Sequence, residues 1–359
     1  MKIAIGYKIK DSSWGGGNQF VTYLVKAALD RGYTVTFNLI EKDIDIILII
    51  DPRSYNNDIP FGTLDILRYL FFVNKKAIVV HRINECDERK KTKHMNAFLR
   101  LANYFADFTV FISNWLRTLS IYDKKKDSKV ILNGADKSIF RNHNNTIWDG
   151  SEPLKIVTHH WSSNYMKGFD VYKKLDNLLS HKSWKDKLKF TYIGNLPKGF
   201  SFRNSQQINP ISGISLGREL SKHHLYISGS INEPAGMHHI EGILCGLPII
   251  FRESGALPEY CKNYGVPFEN DNFLPALEIM IQNYSKYKKS TLSYKNNSVN
   301  MTDQYLDLFL FLIQRRNEIV KKRNLFRSPL FLIFNFVFAF MKLRSLARLS
   351  QKLFLKKIK

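Results

Sequence analysis

The sequence predicts an α/β protein of two consecutive domains, each a doubly wound parallel sheet with helices on both faces, set across a cleft. Three observations predict it. At 359 residues the chain is long for one core and comfortable for two. Short apolar runs alternate with helical patterns, as strands buried on both faces of a parallel sheet require. The alternation breaks once, at the polar and turn-rich RNHNNTIWDGSEP (141–153), and then starts again.

KIAIGY (2–7) reads as the first strand, and Gln19 to Leu29 as an amphipathic helix that ends before the RGY turn. YTVTFNLI (33–40), DIDIILIID (43–51), AIVVHR (77–82) and FTVFIS (108–113) are further strands, and VILNGAD (130–136) closes the first domain, residues 1–145. Asp43 and Asp45 open a buried strand and read as structural acids, not as metal ligands. The second domain, residues 150–300, has strands at LKIVTHH (154–160), LKFTYIGN (188–195), HLYISGS (224–230) and LPIIF (247–251). Its helices start at Gly168 and cover 215–222 and 235–245. After Gly265 the repeat fades into helices, the last running from roughly Asp303 to Lys322; residues 301–322 are expected to return toward the first domain. In open α/β sheets ligands collect at the carboxyl ends of the strands, which here face the cleft.

Hydrophobic content of 44% with 24% charged residues excludes a disordered chain. The formal net charge of +23 calls for an anionic partner. Thirteen Lys or Arg and one acid fall between Arg315 and Lys359, so about half of the excess lies in the tail. There, residues 330–341 are almost wholly apolar, with five phenylalanines. As a helix they reach only ~18 Å, too short for the ~30 Å hydrocarbon core of a bilayer. Leu343, Leu346, Leu349, Leu353 and Phe354 then alternate with Lys342, Arg344, Arg348 and Lys352. This basic amphipathic pattern over 323–359 suits an anionic membrane surface through residues 324–359; the alternative is a helix lying on the protein's own surface. Interleaving of basic residues with phenylalanine suits lipid better than a phosphate backbone, so nucleic acid is not the expected partner. Three cysteines (Cys86, Cys245 and Cys261) without metal-ligand spacing fit a reducing cytosol. The opening residues read as a strand, not as the apolar core of a signal peptide.

The candidate chemistry lies in INEPAGMHHIEGILCGLPIIF (231–251), where Glu233 and Glu241 stand at the start of the expected helix and two turns in, ~12 Å apart along its axis. Free N–H groups at a helix start can hold a diphosphate, and Gly236 removes a side chain where a ligand must come close. A carboxylate at each end can accept hydrogen bonds from hydroxyl pairs on a sugar and on a ribose; the other reading is that Glu233 favours the helix dipole and Glu241 is a solvated surface residue.

EPAGMHHIEGILCGLPIIFRESGALPEY resembles the signature of group-one retaining glycosyltransferases of the GT-B fold. Glu233, Gly236, Glu241, Cys245, Gly246, Pro248, Gly255, Pro258 and Glu259 fall in register with it. WGGGNQFVTYLVKAALDRGYTV, FISNWL, VILNGAD and MKGFD resemble other parts of that family, so the likeness spans residues 1 to about 270. It implies two Rossmann-like domains and a metal-independent hexosyltransferase without a cofactor, using a UDP- or GDP-sugar as co-substrate. Glu233 would contact the transferred sugar, Glu241 the ribose, and Lys167 the departing diphosphate. Ser254, Gly255 and Ala256 would offer backbone N–H groups to the phosphates. Gly15, Gly16 and Gly17 would let the first-domain loop approach donor and acceptor; a merely flexible loop is the other reading of that run. His81, ending its strand, would lie close to the reacting sugar, with Arg82, Asn84, Glu85 and Asp87 as acceptor-side lining.

The chain departs from the resemblance at one point. Where the family has an arginine shortly before the Lys-Gly pair, THHWSSNYM offers none, leaving His160 or the serines Ser162 and Ser163 as donors to phosphate. The expected function is transfer of a sugar onto a glycan acceptor, a lipid-linked surface polysaccharide (lipopolysaccharide type), at the cytoplasmic face of the membrane. The competing classes are an inactive GT-B scaffold or partner subunit, and a basic nucleic-acid-binding protein.

Overall fold

The computed structural model describes residues 1–10, 15–53, 59–144 and 147–323. The expected membrane-binding tail, 324–359, lies outside the described residues. No described helix is long and apolar enough to cross a membrane.

The first lobe runs β1 (Lys2–Gly6), α1 (Gly15–Asp30), β2 (Thr34–Thr36), β3 (Ile46–Ile49), α2 (Thr63–Phe72), β4 (Ile78–Ile83), α3 (Met95–Phe105), β5 (Phe108–Phe111) and β6 (Ser128–Val130). Its sheet is ordered β2-β1-β3-β4-β5-β6 and every pairing is parallel. Side chains alternate between the two faces, as period two demands. Ile3, Ile5, Ile46, Leu48, Ile78 and Val80 enter one core, while Ala4, Ile47, Ile49 and Val79 enter the core built by α2 and α3. This two-sided burial is why the strands read as unbroken apolar runs. YTVTFNLI pairs only over Thr34–Thr36 because it is the edge strand, beside β1 alone.

The second lobe runs β7 (Leu154–His160), α4 (Phe169–Leu178), β8 (Leu188–Gly194), β9 (Gln206–Ile208), α5 (Gly213–Leu220), β10 (Leu225–Ser228), α6 (Met237–Leu244), β11 (Ile249–Arg252), α7 (Leu257–Cys261), β12 (Gly265–Phe268), α8 (Leu274–Gln282) and α9 (Tyr284–Ser290). Its parallel sheet is ordered β12-β11-β10-β7-β8-β9. The repeat does not fade at Gly265: GVPF makes one more strand, in register with β11 from Ile249↔Gly265 to Arg252↔Phe268. Exposed Pro267 in that short segment hides the strand pattern.

The chain then crosses back. α10 (Ser298–Gln314) and α11 (Arg316–Lys322) lie on the first lobe, and the single helix expected over 303–322 is broken at Arg315. Met301, Tyr305, Leu306, Phe309 and Leu312 of α10 share the core of Ile3, Ile5, Phe20 and Leu24. Arg31 pairs with Asp303 and Asp307, Arg316 with Asp45, and Arg323 with Asp107. A third apolar cluster runs unbroken between the lobes, joining Ile83, Leu99, Phe111, Ile112 and Leu116 to Ala235, Met237, Ile240 and Tyr260.

Because α10 completes the first-lobe core, Phe309→Ala should destabilise that lobe by about 3–5 kcal/mol. Hydrogen exchange checks the location: amides of β1 and β3 should lose protection while those of β7 and β8 keep theirs. Equal loss in both lobes would refute this division of the core.

Candidate active site

The carboxyl ends of both sheets meet at a cleft of about 710 Å3, entered by Gly15–Gly17, Arg82, Asn84 and Arg89 from one lobe and His160, Lys167 and the start of α6 from the other. The motif segments form its seam. Asn114 of FISNWL donates its backbone N–H (2.7 Å) and Nδ2 (2.6 Å) to the Glu259 carboxylate. The Tyr260 hydroxyl donates to the Ile112 carbonyl (2.7 Å) and accepts from the N–H of Asn133 in VILNGAD (2.8 Å). Asn133 Nδ2 donates to the Ala235 carbonyl (3.1 Å) and its Oδ1 accepts from Arg82 (2.9 Å), whose guanidinium stacks on Phe20 at 3.9 Å.

The two glutamates do not share a helix. α6 begins only at Met237, with Gly236 as its cap, so the axial rise expected between them does not apply. Pro234 belongs to the preceding loop, where Asn232 takes the left-handed conformation (φ 50°) that asparagine tolerates. Glu241 lines the cleft from the second turn of α6. Its Oε2 lies 2.7 Å from His159 Nε2, and its Oε1 accepts from Gln19 Nε2 of the first lobe at 3.1 Å. A carboxylate only accepts, so His159 donates from Nε2 and offers Nδ1 to the Tyr226 hydroxyl at 3.1 Å.

Glu233, 2% exposed, lies in a small annex opening beside Lys167, Arg89, Ser162 and Asn164. Lys167 Nζ hydrogen-bonds its Oε2, while Arg89 Nε stands 3.6 Å from its Oε1. Burial pushes the Glu233 carboxyl up, but Lys167 and Arg89 outweigh it and hold the group at about 2. A further bond joins the same two loops: Asn232 Nδ2 donates to the Glu88 carbonyl (3.2 Å).

The other expected site residues divide. Lys167, His160, Ser162, Ser163, Gly236 and Gly15–Gly17 line the cleft. Gly16 is required by close approach, since a Cβ there would stand 2.9 Å from Met237 across the gap. His160 Nε2 lies 2.7 Å from the Tyr172 hydroxyl. Ser254, Gly255 and Ala256 are outside the lining and brace the Glu233 loop instead. Ser254 Oγ accepts from the Asn232 N–H (2.9 Å), and Ala256 N–H donates to the Glu233 carbonyl (2.8 Å). Gly255 sits at φ +61° with its missing Cβ position 2.5 Å from the Glu233 nitrogen.

His81 is fully buried on β4 but outside the lining, because one-residue alternation turns Arg82 to the cleft and His81 to the opposite face. Of its expected companions, Arg82, Asn84 and Glu85 line the cleft. Asp87 instead accepts from the N–H groups of Met95 (2.8 Å) and Asn96 (3.0 Å) at the start of α3. Gln19, Arg89 and Asn133 were not singled out from the sequence; only contacts across the seam reveal them. Among the described residues no group of three or more His, Cys, Asp or Glu could hold a metal ion.

No protein-family model matches the chain, and no curated protein matches its sequence. The architecture is the GT-B fold of two Rossmann-like domains. Among solved structures, sucrose-phosphate synthase from Thermosynechococcus elongatus superposes with a TM-score of 0.61 at 12% identity, over 88% of this chain and 99% of that one. Anabaena HepE in complex with UDP gives 0.63 at 13% identity, over 87% and 100%. The catalytic domain of Arabidopsis thaliana starch synthase IV, bound to ADP and acarbose, gives 0.63 at 12%, over 88% and 99%. Identities this low establish the shared fold.

Burial keeps three histidines near the cleft neutral: it pulls His160 and His238 well below the ordinary range and His239 to about 3. The unfolded chain protonates each near 6.5, so their contribution to stability is complete above that pH and falls as the pH drops. The loss is about 1.4 kcal/mol per pH unit per histidine. Denaturant midpoints should therefore decline from pH 7 to pH 5, and His239→Leu should make the decline shallower by one proton's worth. An unchanged slope in that variant would show that His239 is charged in the folded state.

Proposed function

We propose that this chain is a glycosyltransferase that moves a sugar from a nucleotide diphosphate sugar to a glycan acceptor with retention of configuration. The observation that carries the reading is the placement of two buried carboxylates beside the start of α6, each also contacted from the first lobe. Gln19 reaches Glu241, and Arg89 reaches Glu233. The UDP and ADP held by HepE and starch synthase IV support a nucleoside diphosphate as the donor's leaving half.

In this reading Glu241, oriented by His159, accepts from the ribose hydroxyls, and Glu233 accepts from the transferred sugar. The bond between the anomeric carbon and the β-phosphate oxygen breaks as the acceptor oxygen bonds to the same face of that carbon. The acceptor's proton passes to the departing phosphate oxygen, so no side-chain nucleophile is needed. Lys167 and the open N–H groups at the start of α6 stabilise the charge that develops on the diphosphate. The reaction is independent of metal, and chelator should leave its rate unchanged.

The acceptor is a lipid-linked glycan of a surface polysaccharide, met at the cytoplasmic face of the membrane. Residues 324–359, basic and rich in phenylalanine, supply the peripheral attachment. Deleting 324–359 should release the protein from anionic vesicles while sparing donor hydrolysis; a truncated form that still sediments with vesicles overturns the attachment.

A panel of UDP-, GDP- and ADP-sugars should contain one that raises the melting temperature with the logarithm of its concentration. Glu241→Ala should weaken that ligand about a hundredfold, as loss of hydrogen bonds to a buried charged acceptor implies. Binding without turnover would make the chain an inactive scaffold. Stabilisation by DNA but by no nucleotide sugar would make it a nucleic-acid-binding protein.

A further inference from the structure

We infer that Arg89, a first-lobe residue, is the second cation of the donor's diphosphate site, and that Glu233 stands in for the diphosphate until the donor arrives. The inference rests on the proposed donor class and adds to it a residue and an exchange of partners.

A diphosphate departing from a sugar needs more than one positive group, because charge grows on it as the bond breaks. On the second-lobe wall of the cleft the described residues include a single Lys or Arg, Lys167. The stretch before it, His159 to Met166, contains no cation that is charged in every state. The remaining basic lining residues, Lys10, Arg53, Arg82, Arg89 and Lys90, all belong to the first lobe.

Arg89 among them is placed to act together with Lys167 on one anion. Arg82 is turned to Asn133 and Phe20. Arg53 is bidentate on Asp51, and Lys90 pairs with Glu85. Arg89 and Lys90 both line the main cleft and the annex, as Lys167 does, and Arg89 is the one that reaches Glu233. It is anchored at one end, with Nη1 donating to Glu85 at 3.0 Å. Its Nε has no hydrogen-bond partner and faces Glu233 Oε1 at 3.6 Å. The two cations therefore bracket one anion, each on its own oxygen.

That bracketed anion occupies the geometry a phosphate would take. A carboxylate engaged by two cations is also a poor acceptor for sugar hydroxyls, whose hydrogen bonds it must form during transfer. Both difficulties vanish if the diphosphate displaces Glu233 from Lys167 and Arg89. The incoming anion takes the cations, and the released carboxylate turns to the sugar. The exchange keeps the buried charge paired at every stage, whereas an empty cation pair would be strongly destabilised.

Binding of UDP, GDP, ADP and inorganic pyrophosphate to the full-length protein, measured by calorimetry, tests this. Arg89→Gln should weaken the best nucleoside diphosphate and pyrophosphate about tenfold, leave the corresponding monophosphate within twofold, and be rescued in part by Arg89→Lys. Glu233→Gln, with its internal anion removed, should bind pyrophosphate more tightly than wild type by about the same factor while losing transfer. If Glu233→Gln does not fold, the Arg89 pair decides alone. Equal weakening of mono- and diphosphate in Arg89→Gln, or no weakening, overturns the role of Arg89. Unchanged or weaker pyrophosphate binding by folded Glu233→Gln overturns the exchange. Wild-type protein that binds none of the four probes fails the donor class itself, a separate result.

Discussion

The carboxylate of Glu233 lies between Lys167 of one lobe and Arg89 of the other, nearly without access to water. Ions in such a place cost several kcal/mol each in lost hydration, and removing one partner leaves the others uncompensated. The loops that carry them must therefore be held accurately, and they are. Asp87 ties its loop to the start of α3, Glu85 anchors Arg89, and Asn232 reaches the Glu88 carbonyl. On the other side Gly255 and Ala256 brace the Glu233 backbone from beneath. Residues that never touch the cleft thus set the position of one that does.

A similar logic orients Glu241. The Tyr226 hydroxyl on β10 fixes the ring of His159, whose other nitrogen fixes the carboxylate. α6 reaches this depth because it carries glycine where it meets the sheet; a Cβ at Gly242 would stand 2.4 Å from the Tyr226 ring. Small residues, a buried tyrosine and a histidine bring an acid close to a strand end without exposing it. The same burial that sharpens the acid's electrostatics forbids the nearby histidines from charging, so the site's chemistry and the fold's acid sensitivity share one cause.

The fold was legible because a parallel sheet covered on both faces leaves an unmistakable apolar run, as at Ile46–Ile50 and Ile78–Val80. Strands that lack this signature were misjudged: Gly265–Phe268 carries an exposed proline, and Thr34–Thr36 is an edge. At the site, positions set within a motif were legible, since Lys167, Gly236 and Glu241 line the cleft where their segments place them. What depended on the exact first residue of α6 was not. Two residues of helix exchanged for loop moved Glu233 off the helix axis and into the annex. Strand parity misled in the same way, exchanging His81 for Arg82 at the cleft. Arg89 and Gln19 were beyond reach altogether, because each gains its meaning from a residue more than a hundred positions away.

The distribution of charge explains why these long-range partners matter. Among the described residues six basic and three acidic side chains line the main cleft; five of the six basic ones belong to the first lobe, as do the acids Asp51 and Glu85. Glu233 and Glu241 both stand on the second. The lobes are complementary where Arg89 meets Glu233 and Gln19 meets Glu241, and an apolar cluster packs between them. In the proposed reading an anionic ligand competes with Glu233 for Arg89, while a polyhydroxyl group competes for both carboxylates. In that reading, a molecule that joins an anion to hydroxyl-bearing rings offers a partner to both kinds of group, whereas a free anion would leave Glu233 without its cations. The first-lobe cations of the cleft thus read, in that proposal, as one half of a paired requirement.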